Sequence, residues 1–146
     1  MQKEIIKNVI TNSDAETRKV AHWFISKFKF KKGMIIGLIG DLGSGKTAFT
    51  KGIAEGMRLK GLVTSPSFNI LNIYQRGGKK LFHFDLYRLN SIEELENIGY
   101  EEYFYNKGIT VIEWADKCMD ILTEDCYLIY FKYQGEKRRE ITICRK

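Results

Sequence analysis

The sequence predicts one α/β domain spanning residues 1–146, with a parallel core sheet, added antiparallel strands and flanking helices. Two short apolar runs, MIIGLI and ITVIE, are typical of strands that are buried on both faces of a sheet. Other segments carry apolar residues at the spacing of one helix face. A glycine-rich loop separates the first buried strand from one of these helices, which gives the strand–loop–helix order of an α/β fold.

The first half of the chain predicts a strand, a helix, a second strand and a second helix. EIIKNVI alternates as a strand does, and Ser13 and Glu16 then have the spacing of a capping box. The helix that they begin carries four apolar residues on one face: Ala21, Phe24, Ile25 and Phe28. After MIIGLI and the glycine-rich loop, Phe49, Ile53 and Met57 recur every four residues and predict the second helix.

The second half predicts a hairpin, a short helical stretch and three further strands. FNILNIY and KKLFHFDLY flank QRGG, a pattern typical of a β-hairpin. Ser91 and Glu94 repeat the capping-box spacing, the helical stretch continues through YEEYFYN, and Gly108 suits its C-terminal end. ITVIE is the next strand, and CYLIYFKY and RREITIC predict a closing antiparallel pair. One proline, no linker and no internal repeat are consistent with a single domain.

The composition is that of an ordinary globular domain, with 44% hydrophobic and 29% charged residues. The longest apolar run, near MIIGLIG, is far shorter than a membrane span, and MQKEIIKNVI lacks a signal-peptide core. The three cysteines, Cys118, Cys126 and Cys144, have no metal-ligand spacing, and their odd number argues against a disulfide framework. We therefore expect a cytoplasmic protein with no membrane partner.

The net charge of +6 permits a polyanionic partner. The one dense basic cluster consists of Lys137, Arg138 and Arg139. A solvated hairpin turn is the favoured interpretation of this cluster, and the alternative is contact with RNA, nucleotide phosphate or an acidic protein surface.

The glycine-rich loop GDLGSGKT carries the chemistry. It matches G-x-x-x-x-G-K-[ST] at Gly40, Gly45, Lys46 and Thr47, between a strand and a helix as a phosphate-binding loop requires. Glycines let the backbone curl so that N–H groups point at phosphate oxygens, and the helix N-terminus adds partial positive charge. Lys46 supplies a full charge at the outer phosphates, and the Thr47 hydroxyl can ligate magnesium. The predicted nucleotide-binding residues are Asp41, Leu42, Gly43, Ser44, Gly45, Lys46, Thr47 and Ala48.

Two apolar strands end in an acid, at Asp85 after LFHF and at Glu113 after ITVI. Acids often follow strands as solvated turn residues, but two such strands near one phosphate-binding loop favour a pair of site carboxylates. One would hold magnesium, and the other would orient or deprotonate the attacking water. Both are therefore candidate metal ligands with Thr47, and the predicted catalytic residues are Lys46, Asp85 and Glu113.

Missing motifs narrow the class of nucleotide enzyme. A guanine-specific GTPase needs N-K-x-D, but NKGI at 106–109 lacks the aspartate and no D-x-x-G follows the loop. Adenine is therefore the expected base. A small P-loop nucleoside or metabolite kinase is the alternative, although no segment is long and basic enough for its arginine-rich lid. A further alternative is a binding module that binds a nucleotide without hydrolysing it. This alternative is disfavoured by the presence of a complete set of candidate catalytic residues: Lys46, Thr47, Asp85 and Glu113.

Five segments resemble the TsaE family in order and spacing: GDLGSGKTAFTKG, VTSPSFNILNIY, FHFDLYRL, EELENIGYEEYF and VIEWADK. The resemblance covers roughly residues 4 to 145. It implies a P-loop ATPase of bacterial tRNA threonylcarbamoyl-adenosine synthesis, with ATP and Mg2+ as cofactors. It also implies the TsaB and TsaD proteins as partners, contact with tRNA indirectly through that complex, and hydrolysis that supports turnover of the transferase. The tRNAs concerned read codons that begin with A.

The resemblance also suggests roles for individual residues. Thr47 and Glu113 would hold magnesium and Asp85 would serve the hydrolytic water, although the division of roles between the two carboxylates stays open. TSPSF, residues 64–68, matches a switch-like segment of the family. Three further residues have two interpretations each. Arg88 is either an arginine finger or, as we favour, a salt-bridge partner of Glu93 or Glu94. Trp114 either lines the site or a partner surface, or packs in the core, and His83 is expected to be packed rather than catalytic.

Overall fold

The computed structural model describes residues 3–28, 33–59, 69–105, 108–122 and 125–146. Its strands are β1 (Glu4–Thr11), β2 (Met34–Gly40), β3 (Leu71–Arg76), β4 (Lys79–Asp85), β5 (Ile109–Glu113), β6 (Tyr127–Tyr133) and β7 (Arg139–Arg145). Its helices are α1 (Asp14–Phe28), α2 (Lys46–Gly56), α3 (Ile92–Ile98) and α4 (Tyr100–Phe104), followed by a 3₁₀-helix at Ala115–Ile121.

The strands form one seven-stranded sheet in the order β1-β7-β6-β2-β5-β4-β3. The central strand β2 pairs in parallel with both β5 and β6, and β4 pairs in parallel with β5. The outer pairs β1–β7, β6–β7 and β3–β4 are antiparallel. The predicted α/β fold, with a parallel core and antiparallel additions, is therefore confirmed.

The sheet is covered on both faces, which explains why β2 and β5 are apolar at almost every position. Ile36 and Leu38 of β2 belong to the hydrophobic cluster formed with α1 and α2. Ile35, which points the other way, belongs to the cluster that includes Leu95 of α3 and Phe104 of α4. Each side chain buried in this way stabilises the fold by about 1.5–3 kcal/mol.

The two large helices on one face cross closely at Gly52 of α2. A Cβ atom at this position would lie 2.6 Å from Cβ of Ala21 and 2.8 Å from the carbonyl oxygen of Arg18, both in α1. Only glycine allows this approach. The contact fixes α2, which begins directly after the glycine-rich loop, against α1.

The two predicted capping boxes behave differently. At α1, the backbone N–H of Glu16 donates to Ser13 Oγ at 3.1 Å, and Glu16 Oε1 accepts from the N–H of Asn12 at 2.7 Å. At α3, Ser91 precedes the helix but makes no side-chain cap hydrogen bond, so the second capping box is wrong.

The helical stretch that follows α3 is also shorter than predicted. Gly99, with a φ of 79°, separates α3 from α4, which ends at Phe104. Gly108 is not a helix cap; it lies where a Cβ atom would be 2.4 Å from the carbonyl oxygen of Lys80. Among the described helices, none combines the length and apolar character needed to cross a membrane.

Candidate active site

The carboxyl ends of three parallel strands meet at one edge of the sheet. β2 ends at Gly40 and leads into the loop that precedes α2, while β5 beside it ends at Glu113. β4 lies next to β5, and Asp85 pairs in register with Glu113. The sequence-predicted loop and both predicted acids are therefore neighbours, with Glu113 one strand nearer to the loop than Asp85.

The loop backbone needs glycine at several points. Gly43 and Gly45 have φ angles of 77° and 108°, in the region that disfavours other residues. At Gly40 a Cβ atom would lie 2.6 Å from Ser44 Oγ, so the loop leaves no room for a side chain there. The N–H groups in the first turn of α2 have no acceptor within the helix and face outward at its positive end. This arrangement suits an anionic ligand.

Lys46, the first residue of α2, is 5% exposed and folds back over the loop. Its Nζ donates hydrogen bonds to the carbonyl oxygens of Gly40 at 2.6 Å and Asp41 at 2.7 Å, and to Ser44 Oγ at 3.3 Å. Burial lowers the pKa of Lys46, against the raising effect of nearby acids led by Glu113. The ammonium also lies 4.2 Å from the ring centroid of Trp114, within range of a cation–π contact.

Glu113 is a buried carboxylate that is 3% exposed and held by three side chains. Thr47 Oγ1 donates to Oε1 at 3.1 Å, and Thr50 Oγ1 lies 3.3 Å from Oε2. His83 Nε2 is 2.5 Å from the same Oε2 atom. Hydrogen bonds of this kind offset the cost of burying a carboxylate, so Glu113 is fixed in place beside the Thr47 hydroxyl.

Asp85 is half-buried and faces the same space. Burial raises the pKa of Asp85, and the negative charge of Glu113 adds to this effect. The backbone N–H of Tyr87 donates to Asp85 Oδ1 at 3.1 Å and acts in the opposite direction, toward a lower pKa. Asp85 therefore faces the cavity beside Glu113, which already has several hydrogen-bond donors.

A cavity of about 370 Å³ lies over the loop. This volume is in the range of small-molecule sites. The described residues that line it include these predicted site residues: Leu42, Gly43, Gly45, Lys46, Thr47, Ala48, Asp85 and Glu113. Asp41 and Ser44 are not among the lining residues, but the Asp41 carbonyl oxygen and Ser44 Oγ accept hydrogen bonds from Lys46 Nζ. The binding and catalytic roles of all these residues stay predictions.

The residues present fit a magnesium ion shared with phosphate oxygens. Among the described residues there is no group of three or more His, Cys, Asp or Glu side chains that could hold a metal without help. Magnesium at triphosphate sites needs no such cage, because it takes one or two protein oxygens and fills its other positions with phosphates and waters. Thr47 Oγ1 and Glu113 Oε1, 3.1 Å apart, are hard oxygen donors of the required type.

Three residues in or next to the site were not predicted as site residues: Arg139 lines the cavity, and Thr50 and His83 contact Glu113. Thr50 lies one turn after Lys46 on α2, so helical spacing could have suggested it. His83 lies two residues before Asp85 on β4 and therefore on the same face of that strand. It is packed, as predicted, but against Glu113 rather than among apolar residues alone. Arg139 belongs to the basic cluster for which a solvated turn was the favoured interpretation, and it lines the cavity instead.

Trp114 lines the cavity, which favours the first of its two interpretations. Its φ of 62° is unusual for a large side chain. Its ring lies 5.2 Å from that of Tyr87, so two aromatic rings border the site beside Lys46. Arg88 also lines the cavity, and its role as a finger or as a salt-bridge partner stays a prediction. The switch-like segment 64–68 lies outside the described residues.

The chain matches known proteins over most of its length. The family model described as Threonylcarbamoyl adenosine biosynthesis protein TsaE matches residues 11–141. The tRNA threonylcarbamoyladenosine biosynthesis protein TsaE of Bacillus subtilis (strain 168) is 42% identical over 112 residues, which are 77% of this chain and 70% of that protein. The protein of the same name from Aquifex aeolicus (strain VF5) is 35% identical over 147 residues, covering 98% and 99% of the two chains.

A solved structure agrees with these sequence matches. The crystal structure of Bacillus subtilis YdiB superposes with a TM-score of 0.78 at 32% identity, and the match covers 99% of this chain and 88% of that one. The resemblance drawn from the five sequence segments is confirmed. With its phosphate-binding loop at the edge of a parallel core sheet, the chain belongs to the TsaE family of threonylcarbamoyladenosine biosynthesis proteins.

Proposed function

We propose that this chain is a magnesium-dependent ATPase that supports the synthesis of threonylcarbamoyladenosine in tRNA. One observation carries the proposal: Lys46, Thr47, Asp85 and Glu113, from three separate elements, surround a single cavity at the end of the parallel strands. A lysine, a hydroxyl and two carboxylates are the groups that P-loop hydrolysis requires. The family membership supports the pathway.

Each residue has a defined part in this proposal. Lys46 exchanges its hydrogen bonds to Gly40 and Asp41 for the outer phosphates, whose charge it stabilises. Thr47 and Glu113 would hold a magnesium ion, which would supply positive charge against the phosphates. Asp85 orients the attacking water and accepts its proton, a role that suits an acid whose pKa is raised by burial.

The division of labour between the two acids follows from their distances to the loop. Glu113 accepts a hydrogen bond from the Thr47 hydroxyl, so both oxygens could ligate one cation. Asp85 lies one strand further away and is hydrogen-bonded on its backbone side by Tyr87. We therefore assign the cation to Glu113 and the water to Asp85, as the family resemblance implies.

The partners proposed are the TsaB and TsaD proteins, which transfer the threonylcarbamoyl group to adenosine, with tRNA reached through that complex. We expect this reaction to take place in the cytoplasm, which is compatible with a tRNA substrate. The chain by itself has no assigned arginine finger, and a missing finger can slow phosphoryl transfer by about a thousandfold or more. Slow hydrolysis by the chain alone, with stimulation of at least about tenfold by its partners, is therefore the expected behaviour.

Phosphate release from ATP tests the enzyme assignment directly. The Lys46→Ala and Glu113→Gln variants should lose magnesium-dependent release, with reductions of at least about a hundredfold. Lys51→Ala, which changes a lysine on the same helix outside the cavity lining, is the matched control and should keep normal activity. Folded Lys46→Ala protein with full activity would refute the proposal. Phosphate transfer to nucleosides in place of release to water would favour the kinase alternative.

A further inference from the structure

Each of the two site acids is followed at once by a turn, and the two turns contact each other beside the cavity. Asp85 ends β4 and leads into a turn at 86–89. Glu113 ends β5 and leads through Trp114 into the 3₁₀-helix. The placement of the Asp85 carboxylate therefore depends on how the first turn is held against the second.

Lys117, near the start of the 3₁₀-helix, connects the two turns. Its Nζ donates a hydrogen bond to the carbonyl oxygen of Tyr87 at 2.6 Å and lies 6.0 Å from the centroid of the Tyr87 ring, at the outer limit of a cation–π contact. Its backbone N–H donates to the carbonyl oxygen of Trp114 at 3.1 Å. Lys117 thus contacts both turns, although it is exposed and does not line the cavity.

Tyr87 carries this contact to Asp85. The backbone N–H of Tyr87 donates to Asp85 Oδ1 at 3.1 Å, while its carbonyl oxygen accepts from Lys117 Nζ. The two groups belong to the peptide units on either side of one Cα atom, so the Lys117 hydrogen bond also restrains the direction of the N–H. Without Lys117, the donor that holds the Asp85 carboxylate is free to turn.

Trp114 makes the second turn a rigid anchor. Its φ of 62° is a conformation that a large side chain keeps only where the surrounding structure fixes it. Its carbonyl oxygen accepts the N–H of Lys117, and its ring lies 5.2 Å from the ring of Tyr87. The Lys117 side chain therefore extends from a fixed backbone, against which it can hold the turn that follows Asp85.

We propose that Lys117 is a positioning residue for hydrolysis: it holds the Tyr87 peptide so that the Tyr87 N–H directs the Asp85 carboxylate toward the attacking water. The inference rests on the proposed function, in which Asp85 orients this water. Lys117 acts through Asp85 and not on the nucleotide, so its removal should slow the chemical step without changing the affinity for ATP. Small errors in the placement of a reacting group have large effects, of about a hundredfold in rate for 1 Å.

Steady-state phosphate release from ATP tests this role. Lys117→Met should lower kcat by about tenfold, on the scale of other residues that orient a site group, and leave KM within about twofold. Lys117→Arg keeps a cationic donor within reach of the Tyr87 carbonyl oxygen and should restore most of the rate. Lys132→Met, which changes an exposed lysine of β6, is the matched control and should keep both constants.

A double variant shows whether Lys117 acts through Asp85. In the Asp85→Asn background, Lys117→Met should change the remaining rate by less than about twofold, because the group that it positions is already lost. The single Lys117 variants should melt within about 2 °C of the wild type, since an exposed lysine contact contributes little to stability. A full tenfold loss in the double variant, or a much lower melting temperature, would make Lys117 a structural residue.

Hydrogen exchange of the Tyr87 amide, followed by NMR in the ligand-free chain, tests the same contact without catalysis. Exchange should be at least about threefold faster in Lys117→Met and close to normal in Lys117→Arg. Unchanged exchange, unchanged kcat in Lys117→Met, or a loss that appears only in KM would overturn the positioning role. The proposed function fails separately, if the Tyr87 amide responds to these variants as expected but the wild-type chain releases no phosphate from ATP.

Discussion

His83 Nε2 lies 2.5 Å from Glu113 Oε2, and both side chains are buried between the sheet and α2. His83 can donate this hydrogen bond to Glu113 and so fix the orientation of the Glu113 side chain toward Thr47. When a residue that hydrogen-bonds to a metal ligand is removed, metal affinity typically falls by about 10- to 100-fold. His83 is therefore expected to act through Glu113 and not on the nucleotide itself.

His83→Phe should raise the magnesium concentration needed for half-maximal phosphate release by about tenfold, because Glu113 loses a fixed donor. His83→Gln can present an amide N–H at a similar distance and should restore much of the normal requirement. A magnesium titration of both variants at saturating ATP measures this difference. If both variants are equally impaired, or if only the affinity for ATP changes, the positioning role is wrong.

Asp85→Asn should make the ligand-free chain more stable while it reduces hydrolysis by about a hundredfold. Burial raises the pKa of Asp85, so the folded chain binds this proton more tightly than the unfolded chain does. The contribution of Asp85 to the stability of the wild type is therefore lost as pH rises from the usual aspartate pKa of 3.8 through the higher folded value. The amide carries no charge and keeps an oxygen acceptor for the N–H of Tyr87.

Thermal melts of the wild type and Asp85→Asn between about pH 4 and about pH 8 measure this effect. The melting temperature of Asp85→Asn should exceed that of the wild type near neutral pH, and the difference should shrink toward pH 4 as wild-type Asp85 takes up its proton. A constant difference across this range, or a lower melting temperature for the variant at neutral pH, would contradict the expected linkage.

The two serines that precede helices offer a matched comparison of capping. Ser13→Ala removes the acceptor for the N–H of Glu16 and should lower the free energy of unfolding by about 1 kcal/mol. Ser91→Ala removes no side-chain cap bond and should change it by less than about 0.5 kcal/mol. Urea denaturation of the two variants measures both values. Equal losses would mean that Ser91 also caps its helix.

The three cysteines should be unreactive in the folded chain. Cys118, Cys126 and Cys144 are all buried, and burial raises the pKa of each thiol, to about 12 for Cys118. Because the thiolate is the reactive form, a thiol reagent at about pH 8 should modify none of them until the protein is unfolded, when all three should react. Rapid labelling of one cysteine in native protein would contradict this burial.

Local patterns in the sequence were sufficient to predict the fold class, the glycine-rich loop and the two acids beside it. The continuous apolar runs of β2 and β5 predicted strands covered on both faces, and the loop carries its own signature. Asp85 and Glu113 could be paired because acids at the ends of parallel strands meet at one edge. Such arguments depend only on strand direction and on residues close together in the chain.

Other contacts depend on strand order, which no local pattern specifies. β5 lies between β2 and β4 although it follows both in the chain, and this insertion brings Glu113 to His83. Arg139 approaches Gly43 across 96 residues of sequence, so its cluster resembled an ordinary solvated turn. Ser13 and Ser91 show the same limit on a smaller scale, because identical spacing led to a side-chain cap in only one case.

The most direct test of the central claim is the number of threonylcarbamoyladenosines that TsaB and TsaD form on tRNA per complex, in a reaction supplied with ATP, magnesium and the threonylcarbamoyl donor. With the wild-type chain we expect repeated turnover. With folded Lys46→Ala protein, whose phosphate-binding loop lacks its charge, we expect no more product than in the absence of the chain. Equal turnover with wild-type and Lys46→Ala protein would contradict the claim that ATP hydrolysis at this loop supports the modification.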